Sequence, residues 1–287
     1  MDNSNDALRT ALAYRFGASA ADIPPGAGPD ACPETWLQLA KRGSCRHFTD
    51  RKVAPELVET LCALALSSPS KSDLQQRDIV IIDDPNLRGR LDTLMTTGPL
   101  AQAWISGAPA LLVFCGNNRR QRQIHEWRQR PFINDHLDAF FNASVDAGIA
   151  LTAFVIASEA AGLGCTPISA IRNHAQEVSD LLGLPDHVFP VAGLGLGWPK
   201  WPPRTSPRLP LAATVHRNGF SEAGIKETVE AYDQRRDGVQ PMQSQRAIER
   251  FGKAESYGWS EDKARQYAGP ERADFGAFVV KKGFTLR

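Results

Sequence analysis

Apolar residues recur at helical spacing through much of the chain. In residues 55–66, Leu57, Leu61, Leu64 and Ala65 fall on one face. Pro55 opens that stretch, because the first helical turn tolerates a missing N–H. Residues 36–42, with Trp36, Leu37 and Leu39, and residues 86–95 repeat the pattern. The longest helical stretch is 138–161, so rich in Ala, Leu, Val and Ile that burial nearly all round is expected, with Gly162 and Gly164 as its stop. Asn173 is placed to cap a helix running to about Leu182. Short apolar or β-branched runs predict strands at 79–82, 111–115, 188–196 and 211–216, the last two joined by a Pro-rich loop over 198–210. Residues 119–130 are charged around Trp127 and read as a surface helix or mobile segment.

Few strands, irregular helix lengths and no repeating strand–helix unit predict an α+β fold rather than a doubly wound parallel sheet. Three regions are expected: an N-terminal arm over 1–35, with Pro24, Pro25 and Gly26 in its loose part; a core over 36–220; and a polar helical extension over 221–287 ending in Phe278, Val279, Val280 and Phe284.

The chain of 287 residues carries 33 basic and 32 acidic side chains, a net of +1. No global field draws it to nucleic acid or to an anionic membrane. The cysteines, Cys32, Cys45, Cys62, Cys115 and Cys165, are odd in number and contain no CxxC pair, which fits a reducing compartment. The N-terminal MDNSNDALRT has no apolar stretch of signal-peptide type, and no apolar run approaches the roughly 20 residues that span a bilayer. A soluble, cytoplasmic protein with neither nucleic acid nor membrane as partner is expected.

Gly193, Gly195 and Gly197 do not make a dinucleotide fingerprint. Trp198-Pro199-Lys200-Trp201 follows them where a helix N-terminus would have to start, so a strand with small residues under a closely packed neighbour is the better reading. Ser68 and Lys71 have the spacing of an acyl-transferase pair, but no KTG or SDN element follows, and a turn ending a helix is favoured. None of His47, His125, His136, His174, His187 and His216 has metal-ligand spacing, so no metal is expected. Two basic elements are more informative. Lys41, Arg42 and Arg46, with Ser44 between them, can surround a phosphate, or form a solvated loop. Arg208 is held between Pro207 and Pro210.

In order and spacing these elements resemble the nitroreductase family, in its larger NADPH–flavin oxidoreductase branch. Arg42 to Phe48 (RGSCRHF) looks like the family's R-R-S-x-R-x-F opening, and Pro69 to Gln75 (PSKSDLQ) is similar to its P-S-S-x-N-x-Q turn. Gly107-Ala108-Pro109 before LLVFC, AAGLG at 160–164, LGLP at 182–185 with the strand to Gly197, and SPRLP at 206–210 with Val215-His216 continue the series.

The resemblance implies an intertwined homodimer with a mostly antiparallel sheet and FMN at the subunit seam. It implies that Arg42 and Ser44 hold the FMN phosphate, with Arg208 closing that site. Arg46 and Gln102 would bond the pyrimidine edge, and Ile168, Ser169 and Ala170 would line the ring. Pro69, Ser70, Lys71 and Asp73 would come from the other subunit. NADPH or NADH would deliver a hydride to flavin N5, and a nitroaromatic, quinone or flavin acceptor would take it in a ping-pong scheme with no side-chain nucleophile. Gly43 and Ser206 stand where the family pattern has cations, which Lys41, Lys71 or Arg204 would then have to replace, and Asp73 stands for the usual asparagine, an anion that could repel phosphate or reduced flavin. Arg172, Trp201, Trp259 and 119–130 are candidates for the substrate channel; Arg246, Arg250 and Lys253 are candidates for a 2′-phosphate. The same resemblance leaves open other redox chemistry on the fold (ene reduction, dehalogenation, dehydrogenation) or a flavin-binding homologue without turnover.

Overall fold

The apolar runs at 79–82, 111–115 and 188–196 form strands, and a further strand forms where none was expected. In the computed structural model, described for residues 2–18, 33–98 and 101–287, helices α1 (Asp2–Phe16), α2 (Pro33–Lys41) and α3 (Pro55–Leu66) precede strand β1 (Arg77–Ile81). Then come α4 (Pro85–Thr96), β2 (Ala110–Asn117), α5 (Arg119–Trp127), α6 (Leu137–Ala160), β3 (Gly164–Ile168), α7 (Ala175–Leu181) and β4 (Val188–Gly197). Helices α8 (Ile225–Val239), α9 (Ile248–Phe251), α10 (Trp259–Tyr267) and α11 (Phe275–Lys281) follow. The arm around Pro24, Pro25 and Gly26, and Cys32, lie outside the described residues.

The chain divides into two units, one of residues 1–43 with 204–271 and one of 44–203 with 272–287. The second holds a four-stranded sheet in the order β1-β2-β4-β3, with every pair antiparallel. The fold is α+β, as expected. Central strands β2 and β4 are covered on both faces, which explains their unbroken apolar reading. Leu112 and Phe114 of β2 and Leu194 and Leu196 of β4 face Val58 and Leu61 of α3 and Phe154 of α6. Leu111, Val113 and Cys115 face the other way, onto Leu91 and Met95 of α4 and Val178 of α7. A third cluster joins Phe189 to Phe278, Val279 and Phe284.

Four local expectations need correction. Residues 211–216 are not a strand: Leu211–Ala213 form a 3₁₀ turn whose bonds, Thr214 N–H and Val215 N–H to Leu211 O, close locally. β3 was hidden because Pro167 interrupts it, yet proline is tolerated there because β3 is an edge strand. Asn173 does not cap α7. Its side-chain oxygen accepts from Arg272 Nη1 at 2.8 Å, and a 3₁₀ segment, Ser169–His174, leads into the helix. On α3 the buried face is Val58, Leu61 and Ala65, while Leu64 is exposed.

Helix α6 also differs from expectation. It buries Ala143, Ala147, Ala150 and Phe154 but leaves Leu137, Phe141 and Val145 exposed in one row at i, i+4 spacing. Its length and apolar composition are those of a membrane span, yet it packs its buried face on the sheet and α3. Phe154 is fully buried, edge-on to Phe114 at 5.6 Å. Phe154→Ala should lower unfolding free energy by about 3–5 kcal/mol, read as a drop in urea midpoint at unchanged slope.

Candidate functional site

In the sheet unit the site begins with residues 44–49, which run extended along β3 and the end of β4. Cys45 N–H donates to Cys165 O (3.1 Å), and Thr166 Oγ1 donates to Cys45 O (2.5 Å). Lys200 N–H donates to His47 O (2.9 Å) and Thr49 N–H to Trp198 O (2.8 Å). Gly164 permits this approach: a Cβ there would lie 2.6 Å from Cys45 Cβ and Sγ. The segment therefore holds Ser44 half-buried and Arg46 exposed at a fixed register.

Arg46 reaches over the Trp104 ring, 5.8 Å from its centroid. Trp104 Nε1 in turn donates to Gln102 Oε1 at 3.2 Å. The two residues expected at one edge of a planar ring are thus brought together by an indole that sequence reasoning overlooked. Trp104 lies against Gly195, where a Cβ would meet its Cζ3 at 3.0 Å. Gly195 is the register partner of Thr166, two residues before Ile168. Gly197 serves the same purpose for Pro109 and Phe48, where a Cβ would lie 2.5 Å from Pro109 Cδ, whereas at Gly193 it would make only ordinary contact with Ile168; Gly195 and Gly197 are thus strand positions under close neighbours. Ile168 and Ala170 are buried, with Ser169 exposed between them at the end of β3.

The second element is the turn over Pro69, Ser70, Lys71 and Asp73. Ser72, Asp73 and Gln75 have φ of 49°, 55° and 53°, a conformation that costs a residue with a Cβ about 1 kcal/mol or more. Asp146, fully buried on α6, offsets this: Oδ1 accepts Lys71 N–H at 2.9 Å and Oδ2 accepts Gln76 N–H at 3.0 Å. Ser70 Oγ accepts Gln75 N–H (3.1 Å), and Asp73 Oδ1 accepts from Gln75 Nε2 (3.2 Å). The Asp73 anion is therefore locally engaged. No hydrogen bond or ion pair among the described residues joins this turn to Arg46, Trp104 or Gln102. Asp146 was missed too, although a carboxylate midway along so apolar a helix was a usable signal.

In the other unit, Arg42 and Arg208 line one cavity of about 780 Å³. Arg15, buried on α1, donates through Nε to Ala40 O (2.8 Å) and through Nη2 to Arg42 O (2.6 Å), while its own carbonyl accepts Arg208 N–H (2.6 Å). Arg235 then donates to Arg208 O (2.6 Å), and Tyr232 to Pro207 O (3.1 Å). Both arginines thus stand on a backbone that Arg15 and α8 fix. Of the cations expected to compensate at Gly43 and Ser206, Arg204 is turned to Val239 O and Lys71 is exposed on its turn.

The remaining candidates have other partners. Arg172 donates to Val191 O, Trp201 is exposed beside the His47 ring at 5.3 Å, and Trp259 stands edge-on to Tyr232 at 5.3 Å. Arg246 binds Asp262 (3.0 Å) and Arg250 binds Ala268 O (2.9 Å). Burial pushes the thiols up, Cys62 to about 11 and Cys115 to about 12, and Cys45 in the same direction. None is poised as a nucleophile.

Residues 39–198 match the nitroreductase family and 206–287 match the nitroreductase family C-terminal domain. The chain is 30% identical over 258 residues to an FMN reductase [NAD(P)H] of Bacillus subtilis, covering 88% of this chain and 98% of the relative. It is 31% identical over 249 residues to an NADPH-flavin oxidoreductase of Vibrio harveyi, covering 87% and 97%. It is 38% identical over 182 residues to an oxygen-insensitive NADPH nitroreductase of Salmonella typhimurium, covering 63% and 72%. Among solved structures it is similar to B. megaterium NfrA2 (TM-score 0.78, 31% identity, 88% of this chain and 99% of that one). It is also similar to an NADPH:FMN oxidoreductase from Vibrio harveyi complexed with NAD+ (TM-score 0.75, 28% identity, 88% and 99%).

Replacing Asp146 by Ala leaves the buried Gln76 N–H and the partly buried Lys71 N–H without their acceptor and should cost about 2 kcal/mol or more. Amide exchange at Lys71 and Gln76 should accelerate well beyond the global change; protection that falls only in step with global stability would show that Asp146 does not hold the turn. The buried thiols should react with iodoacetamide at pH 8 more than about tenfold slower than in the unfolded chain, counted by mass spectrometry.

Proposed function

Because the chain belongs to the nitroreductase family, we propose that it is an FMN-dependent oxidoreductase moving a hydride from NADPH or NADH to a nitroaromatic, quinone or flavin acceptor. The observation that carries this reading is the Arg46–Trp104–Gln102 cluster. It presents a cation and a side-chain amide at one end of the sheet, beside the buried Ile168 and Ala170. That donor set suits the pyrimidine edge of an isoalloxazine ring, where a guanidinium stabilises negative charge in the reduced state.

Bound FMN supplies two-electron chemistry at N5; the protein supplies binding, orientation and charge. Arg42 and Arg208, lining one cavity, suit a phosphate dianion, and Arg15 acts through the Arg42 carbonyl as a positioning residue. In the sheet unit, Ser44 carries a half-buried hydroxyl on the extended segment and Ser169 lies exposed at the end of β3. The Lys71–Asp73 turn makes no polar bond to the Arg46 cluster in its own chain, which supports a second subunit as the place where it acts. The exposed row Leu137, Phe141 and Val145 on α6 supports the same homodimer, since it is apolar surface that a partner copy would cover. We assign the protein to the cytoplasm, where the four described cysteines stay as free thiols.

The purified protein should show flavin absorbance that bleaches on anaerobic addition of NADH or NADPH and returns with a nitroaromatic or quinone. Arg42→Ala and Arg208→Ala should each weaken FMN about 10- to 100-fold, the loss of one charge-assisted contact, measured by flavin fluorescence titration. A protein that refuses FMN, or wild-type affinity in both variants, would overturn the assignment. Sedimentation at micromolar concentration should give a dimer, and Phe141→Glu should shift it towards monomer.

A further inference from the structure

The cavity of about 780 Å³ contains more than a phosphate grip needs. Its walls are mostly apolar, with Leu12 from α1, Trp36 from α2, Tyr232 from α8 and Trp259 from α10. Its charged lining residues, among those described, are arginines with no carboxylate. Arg236 is the one that the flavin reading leaves unused. Its Nη1 donates to Tyr232 Oη at 3.0 Å, and its Nε is buried without a hydrogen-bond partner. Neither Arg236 nor Arg208 makes an ion pair among the described residues. Arg236 thus brings a positive charge to a mostly apolar wall with no carboxylate among the described lining residues, a setting that an incoming anion would neutralise.

We infer that this cavity is a binding site for an amphipathic carboxylate, an aromatic or branched acid of drug-like size. Its anionic head meets Arg236, with Arg208 beside it, and its apolar body lies between Leu12, Trp36 and Trp259. The volume falls in the range of ordinary small-molecule pockets, about 300–1,000 Å³. A hydrophobic wall with one charged anchor is the usual way such a pocket fixes orientation. A flavin phosphate held by Arg42 and Arg208 would leave the apolar walls at Leu12, Trp36 and Trp259 uncovered. The acid is therefore a separate ligand, and its head group would share Arg208 with the phosphate if both were present.

The test is calorimetric titration of the full chain with 1-naphthoate and, in a second arm, with 1-naphthylmethanol, which has the same rings and no charge. Naphthoate should bind saturably at one site per chain, and the alcohol at least about tenfold more weakly. Arg236→Gln should cost naphthoate about tenfold or more while leaving the alcohol unchanged. Leu12→Trp fills the cavity without touching Arg236 and should abolish both, at unchanged circular dichroism. Equal affinity for acid and alcohol, full naphthoate affinity in Arg236→Gln, or no saturable binding would each overturn the proposal. FMN binding is read separately by visible absorbance, so a failure of the flavin assignment would be seen as such and would not be mistaken for a failure here.

Discussion

Residues 44–49 have no helix or hairpin of their own, so the sheet must satisfy their backbone. The bonds of Cys45 to β3 and of His47 and Thr49 to Lys200 and Trp198, just after β4, do this, and Thr166 adds a side-chain hydroxyl. This docking fixes which way Arg46 points. Were the segment to slip by one residue, every side chain would exchange faces and Arg46 would leave Trp104. The missing Cβ at Gly164 is what allows the approach. The geometry of the candidate site thus rests on a main-chain contact more than on any charged pair.

A second constraint acts through α6. One face of that helix carries the sheet, and Asp146 on it is the anchor of the Ser70–Gln76 turn. The left-handed residues Ser72, Asp73 and Gln75 persist because a fully buried carboxylate binds the backbone before and after them. The same helix presents Phe141 and Val145 outward. The core, the strained turn and the candidate subunit surface are therefore arranged on a single element, and movement of α6 would disturb all three.

Much of this was legible in the sequence because it depends on local pattern. The strands rich in β-branched and aliphatic residues, the Pro55 helix start and the glycine alternation at 193, 195 and 197 each have a short-range cause. What was not legible depends on partners distant in the chain. Pro167 argued against β3, and only the sheet order makes it an edge. Trp104 and Asp146 gained their roles from Arg46 and Lys71, residues 58 and 75 positions away. Arg15 lies in a stretch with no family motif, so its hold on Arg42 could not be anticipated. Arg42 and Arg208 were named from two basic elements and from the family motifs, and both line one cavity.

The edge formed by β3 also bears on how the protein behaves in a crowded solution. A bare edge strand offers a ladder of amides and carbonyls onto which a stray extended chain can zip, the first step towards fibrils. Here Cys165 already has its carbonyl occupied by Cys45, and Pro167 carries no amide hydrogen to offer. The chain that orients Arg46 therefore also acts as a selvedge, closing that margin of the sheet against unwanted addition by its neighbours.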